Sequence, residues 1–314
     1  VVDALPAALL PRPNSEHKSA GSMPAIEDES DTDLALWQAA DVSSVGPVTP
    51  ASVIRVAVDT GSTDESRRIA EEAGFTVIDA PAATPFGRAV TIGAAHIAEA
   101  HPGIECEWLW LLHDDSAPVA GSLPSMLAVA AADGADVVGP KVHNWSGAPI
   151  ILERGVRLSR AGRLYYGVDL GERDQGQYDH IGGEPVYAVT SAGMLVSMRS
   201  WTALNGFDPA LASSGEDIDY CRRARRSGFT VMLCTDAAVR HVRAMSRRRR
   251  KEPLTSRMGA DARYAVMHIL IAHAPKGWAW WYLLRLTTGS LVRAGLQLLQ
   301  RDVRGARDQV EALT

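Results

Sequence analysis

The sequence predicts an α/β protein: a mostly parallel mixed sheet flanked by helices, with a helical extension at the carboxyl end. Three observations predict it. Short β-branched runs alternate with segments of helical spacing from residue 53 to residue 234. WLWLL (108–112) is an unbroken apolar run that stops at a turn, as a strand buried on both faces requires. Beyond the basic run at 247–251, the chain becomes apolar and tryptophan-rich.

Each element has its own warrant. The β-branched run 53–58 reads as a strand, and 65–73 as a helix capped from Ser62 or Thr63, with Asp64 and Glu65 in its first turn. A strand at 75–78 and a helix at 88–100 follow. Next come 108–112 as the central strand, a helix at 123–132 and a short strand at 137–138. Residues 151–158 and 164–168, either side of Arg160 to Arg163, suggest a hairpin on the flank of the sheet. Residues 186–197 read as one more buried strand and 229–234 as the last. Between them a helix over 217–226 turns Ile218, Cys221 and Ala224 inward.

Ahead of this alternation, residues 1–10 have the bias of a short helix, and 11–50 are rich in Pro, Ser, Asp, Glu and Gly, the composition of a mobile insertion. The expected organisation is therefore three regions: 1–52, a main domain at 53–245, and a basic and helical tail at 246–314. The 22% of charged residues and 46% of hydrophobic ones are ordinary for a globular protein, and a net charge of −5 argues against nucleic acid as the main partner. The three cysteines have no CxxC spacing and read as core or incidental thiols. No secretory signal is visible, nor is an apolar run of the length that spans a bilayer.

The chemistry is expected where the apolar run breaks into Asp114 and Asp115. Ligands of open α/β sheets bind at the carboxyl ends of strands. Two adjacent acids there repel each other unless something positive lies between them, and a divalent cation with a diphosphate suits hard oxygen ligands. The plainer reading is a solvated turn that starts the next helix. In VDTGSTDES (58–66) a strand closes on Asp59, Gly61 permits a tight turn and Ser62 caps the helix. Glu216 and Asp217 open another helix, where the dipole favours ionised carboxylates.

Taken with FGRAVTIGAA (86–95), WLWLLHDDSAP (108–118), TSAGMLVSMRSW (190–201), GFDPALASSGEDIDYCRRARRSGF (206–229) and AAVRHV (237–242), this set resembles a family 2 glycosyltransferase with the GT-A fold, in the style of actinobacterial cell-envelope enzymes. The resemblance covers about residues 53–245. It implies an inverting, metal-dependent transfer from a nucleoside-diphosphate sugar to a cell-envelope glycan or polyprenyl-linked acceptor. Asp59, Gly61, Ser62, Arg88, Asp114 and Gly193 would meet the donor. Asp115 and His241 would hold Mn2+ or Mg2+, and His113 stands where some relatives carry Asp. Asp217, with Glu216 beside it, would be the catalytic base. Trp201 reads as core, or as a platform for a sugar ring.

The resemblance further implies a central first strand ahead of Val1, so the chain is expected to be an amino-terminally truncated reading of a longer protein. The tail, with Trp278, Trp280, Trp281, Tyr282, Arg285 and Arg293, suits an interfacial helix, which places the protein in the cytoplasm at the inner face of the membrane. Two other readings remain beside the enzyme: an inactive nucleotide-sugar-binding scaffold, and a sugar nucleotidyltransferase.

Overall fold

The computed structural model describes residues 53–179, 182–211, 214–242 and 258–313. The expectations for residues 1–52, and the basic run at 247–251, lie outside the described residues.

The chain opens with β1 (Val56–Asp59), α1 (Ser66–Glu72) and β2 (Thr76–Asp79), a right-sized unit for two parallel strands, which pair from Val56↔Thr76 to Asp59↔Asp79. α2 (Phe86–Ala100) follows, its entry set by the extended backbone of Pro85. Then come β3 (Trp108–Trp110), β4 (Ser116–Pro118), α3 (Ser122–Asp133) and β5 (Val137–Asn144). α3 stops at Gly134, whose left-handed backbone (φ 60°) is the usual helix terminator. β6 (Ile151–Glu153), the small hairpin β7 (Arg157–Leu158) with β8 (Leu164–Tyr165), β9 (Gly183–Pro185) and β10 (Leu195–Ser197) lead to α4 (Met198–Ala203). α5 (Glu216–Arg226), β11 (Val231–His241), α6 (Met258–Ala272), α7 (Ala279–Leu299) and α8 (Val303–Glu311) complete the order.

The larger sheet has seven strands in the order β3-β10-β5-β11-β4, with β6 beside β5 and β9 beside β11. The expected mixed α/β class holds, and the strand details differ. Within this sheet only β5 and β11 are parallel, and the remaining pairs are antiparallel. The run at 108–112 is not central: β3 pairs antiparallel with β10 at one end of the strand order, while β1 and β2 form a sheet of their own. Its apolarity reflects burial on both faces all the same, since Leu109 joins one core cluster and Trp110 the other. The centre belongs to β5 and β11, both longer than expected. Their polar residues concealed them, because burial on a shared ladder tolerates Lys141 or Thr235 where side chains find partners. Most of 186–197 is irregular backbone that becomes a strand only at Leu195, and 151–153 joins the main sheet instead of the hairpin.

Helices cover both faces of this sheet. Leu123, Met126, Val129 and Ala130 of α3 pack with Trp110, Val138 and Leu195 on one side. On the other, Ile218, Cys221 and Ala224 of α5 point inward as expected and meet Ala265 and Ile269 of α6. The tail thus begins inside the core. Asp219 ties it down, accepting from His273 Nε2 at 2.7 Å and from Arg223 Nε at 2.7 Å. All three cysteines are free thiols, Cys221 and Cys234 buried. α7 differs from α6: Trp280, Leu284, Leu291 and Leu298, which recur along one side of the helix, are all more than half exposed. Among the described residues no helix is long and apolar enough to cross a membrane.

Trp201 resolves as core, with its ring edge-to-face on Phe207 at 5.1 Å and tilted against Tyr220 at 5.7 Å. Trp201→Ala should therefore cost about 3–5 kcal/mol of folding stability. Chemical denaturation measures this, and a loss below about 1 kcal/mol would remove Trp201 from the core.

Candidate active site

The site grows from the way β4 pairs with β11. After β3 the chain turns through His113 to Ser116, closed by the Ser116 amide and hydroxyl donating to His113 O at 3.1 and 2.9 Å. β4 then runs antiparallel to β11 with Ser116 opposite His241, and the Val242 amide donates to Asp115 O at 2.9 Å. This register carries His241 Nε2 to 3.3 Å from Asp115 Oδ1 and 3.3 Å from His113 Nδ1. Ligand atoms of His113, Asp115 and His241 all lie within 4.8 Å of one another, and all three residues are half-buried. Phe86, at the start of α2, covers the His113 ring at 4.1 Å between centroids.

Two imidazoles and a carboxylate converging on one point suit a divalent cation. The mixed nitrogen and oxygen donors suit a transition-metal dication better than Mg2+, which prefers oxygen alone.

The acidic pair stands on the next element. Gly215 takes a left-handed backbone (φ 79°) ahead of α5, and a Cβ there would lie 2.9 Å from Ala265 Cβ of α6. Glu216, Asp217 and Asp219 occupy the first turn, and Arg223, Arg225 and Arg226 the last, in the sense the helix dipole favours. Asp217 Oδ1 accepts from the Ile218 amide at 2.7 Å, and its Oδ2 from the Ser191 amide at 3.2 Å. The Ser191 hydroxyl donates to Glu216 Oε1 at 3.0 Å and lies 3.0 Å from His113 Nε2. An unbroken line of contacts therefore runs from Asp115 through His241, His113 and Ser191 to both acids. Ser191 escaped the sequence reading because a serine on irregular backbone has no distinguishing spacing.

Burial pushes the Glu216 carboxyl up to about 8, with the Asp217 charge adding to the effect. Burial also raises Asp217, and the amides of Ile218 and Ser191 oppose it by stabilising the ionised form.

Residues 39–259 match the family model described as "Glycosyltransferase like family 2". The chain belongs to this family. Among solved structures, GalNAc-T7 with UDP, GalNAc and Mn2+ is similar over 62% of this chain and 38% of that one, at 14% identity and a TM-score of 0.48. S. aureus TarS 1-349 in complex with UDP-GlcNAc is similar over 87% and 76%, at 14% identity and a TM-score of 0.47. A mycobacterial protein is similar over 81% and 74%, at 16% identity and a TM-score of 0.43. This chain thus spans well under two thirds of GalNAc-T7, and likenesses of that size carry no argument about activity. No curated protein matches the chain.

The other residues that the family 2 glycosyltransferase resemblance singles out are placed as follows. Asp59 Oδ1 accepts from the amides of Gly61 at 3.0 Å and Ser62 at 2.8 Å, and the Ser62 amide is the main cause that holds its carboxyl below the usual range. Gly61 has φ 96°, and a Cβ there would touch Ala82 at 3.0 Å. These three share one loop of the two-stranded sheet, whereas the His113 cluster stands on the seven-stranded one. Arg88 is exposed on the first turn of α2, and Asp114 is exposed at the turn after β3. Gly193 is buried with φ 98°, where a Cβ would meet Pro140 at 2.8 Å. Close packing against Pro140 requires a glycine at this position.

The raised Glu216 carboxyl has a consequence for stability. A group held neutral by burial contributes stability that is full below its unfolded value, near 4.5, and is lost as pH rises through about 8. Glu216→Gln cannot ionise, so its melting temperature should gain on that of the unmodified chain as pH rises from about 5 to about 9. Thermal unfolding across that range tests it; a constant difference would mean that Glu216 ionises normally in the folded protein.

Proposed function

We propose that this chain is an inverting glycosyltransferase that moves a sugar from a nucleoside-diphosphate donor to a hydroxyl of a cell-envelope glycan or lipid-linked acceptor. One observation carries the reading: Ser191 holds Asp217 with its amide and reaches His113 with its hydroxyl, so the cation-binding cluster and the acids adjoin one another.

In this reading Asp217 is the base. Burial raises its carboxyl toward the pH at which a base works, and the amides of Ile218 and Ser191, which favour the ionised form, aim it. Glu216, neutral at the same pH, spares Asp217 a second negative charge at contact distance. Asp217 takes the proton as the acceptor oxygen attacks the anomeric carbon from the face opposite the nucleotide, which inverts the configuration. His113, Asp115 and His241 would hold the Mn2+, which supplies positive charge for the donor diphosphate. No protein nucleophile is needed. Asp217→Asn should lower transfer about 10²–10⁴-fold while leaving donor and Mn2+ binding within a few-fold. A screen of nucleotide sugars with Mn2+ and candidate acceptors measures it. Nucleotide binding without transfer from any donor would favour the scaffold reading, and transfer undiminished in Asp217→Asn would remove the base.

We further infer attachment to the inner face of the cell membrane through α7. Its outward side bears Trp280 (65% exposed), Leu284, Leu291 and Leu298 without an intervening charge, a composition suited to the acyl boundary. Flotation with anionic vesicles should fail for the Leu284→Asp, Leu291→Asp double variant. Equal flotation of the two proteins would overturn the attachment.

A further inference from the structure

We propose that Ser191 is a positioning residue for the cation site: it fixes the ring of His113 so that Nδ1 faces His241 and Asp115. The inference rests on the cation-binding reading above and adds a residue to it.

Backbone geometry is the first part of this arrangement. The ladder between β3 and β10 continues past the strand ends, with the Leu111 amide donating to Met194 O at 2.8 Å and the Gly193 amide to Leu111 O at 2.9 Å. His113 and Ser191 stand two residues beyond this clamp on adjacent chains, so the same ladder sets both positions. Gly193 makes the approach possible, since its left-handed backbone brings the Ser191 turn against Pro140 where any side chain would collide.

The hydroxyl is the second part. Ser191 is 2% exposed, with His113 Nε2 on one side and Glu216 Oε1 on the other, each at 3.0 Å. A hydroxyl has one proton to give and lone pairs to receive. Only one direction of this chain suits a cation ligand: Nε2–H of His113 donates to Ser191, and Ser191 donates to Glu216. That direction leaves Nδ1 without a proton, on the side where His241 Nε2 stands at 3.3 Å. Ligating histidines are oriented in this way by a partner on their other ring nitrogen. Here the partner is a neutral hydroxyl backed by the Glu216 carboxyl oxygen. Phe86 on the ring face and Ser191 at the ring edge together leave His113 one orientation.

The two acids thereby separate in role. Asp217 is held by amides alone and faces the reaction, while Glu216 acts on His113 through Ser191.

The test is Mn2+ titration by calorimetry on the full chain, without donor or acceptor. Ser191→Ala should weaken Mn2+ binding about 10–100-fold with little change in melting temperature, and Ser191→Thr, which keeps the hydroxyl, should restore most of it. In a His113→Ala background the same Ser191→Ala change should have almost no effect, because the residue through which it acts is gone. Unchanged binding in Ser191→Ala, or an equal loss in both backgrounds, would overturn the role of Ser191 alone. Failure of the unmodified chain to bind Mn2+ would overturn the cation reading, and this inference with it. Should Ser191→Ala not fold, Glu216→Ala, which strips the acceptor behind the hydroxyl, must weaken Mn2+ binding in the same sense; unchanged binding there would be equally decisive against the proposal.

Discussion

The structure depends on reconciling three carboxylates in one half-dry crevice. Asp115 is far in the sequence from the adjacent pair Glu216 and Asp217, and like charges withdrawn from water are costly when they are brought together. The fold answers each acid differently. Asp115 faces two imidazoles, Asp217 receives two backbone amides, and Glu216 is pushed toward neutrality with a hydroxyl for company. Any change in one of these arrangements is felt by the other two, because Ser191 and His113 touch on both sides of the divide.

That arrangement explains why so much of the scaffold converges on α5. Its first turn must hold two acids, so Gly215 bends the chain into the helix where a side chain would strike α6, and the arginines of the last turn complement the dipole. Below the acids, Asp219 is tied to Arg223 of its own helix and to His273 at the end of α6. The first helix of the tail thus supports the turn that carries the acids. α7 instead leaves an apolar side exposed, so the two helices of the same extension differ in how they meet the rest of the protein.

Much of this was legible in the residues. The alternation of strands and helices, the inward face of α5 and the turn at Asp59 follow from local pattern, and a local pattern survives folding, whereas His241 as a cation ligand came only through the family resemblance. The mistaken centre of the sheet has an equally physical cause. WLWLL is apolar because both its sides are covered, and coverage by helices does not reveal how many strands lie beside it. β5 and β11, the true centre, carry polar residues such as Lys141 and His143, whose partner Asp174 comes from a distant loop and lies 2.7 Å from each.

By itself the sequence determined the class of fold, the family and the residue types that meet in the crevice, since these depend on periodicity, turn chemistry and the order of motifs. Only the tertiary structure brought His113 together with Asp115 and His241, set Ser191 between the two acidic groups and laid Gly193 against Pro140. These are contacts between segments far apart in the chain. They are set by strand register and by the close approach of backbones, and neither leaves a periodic trace in the residues that make them.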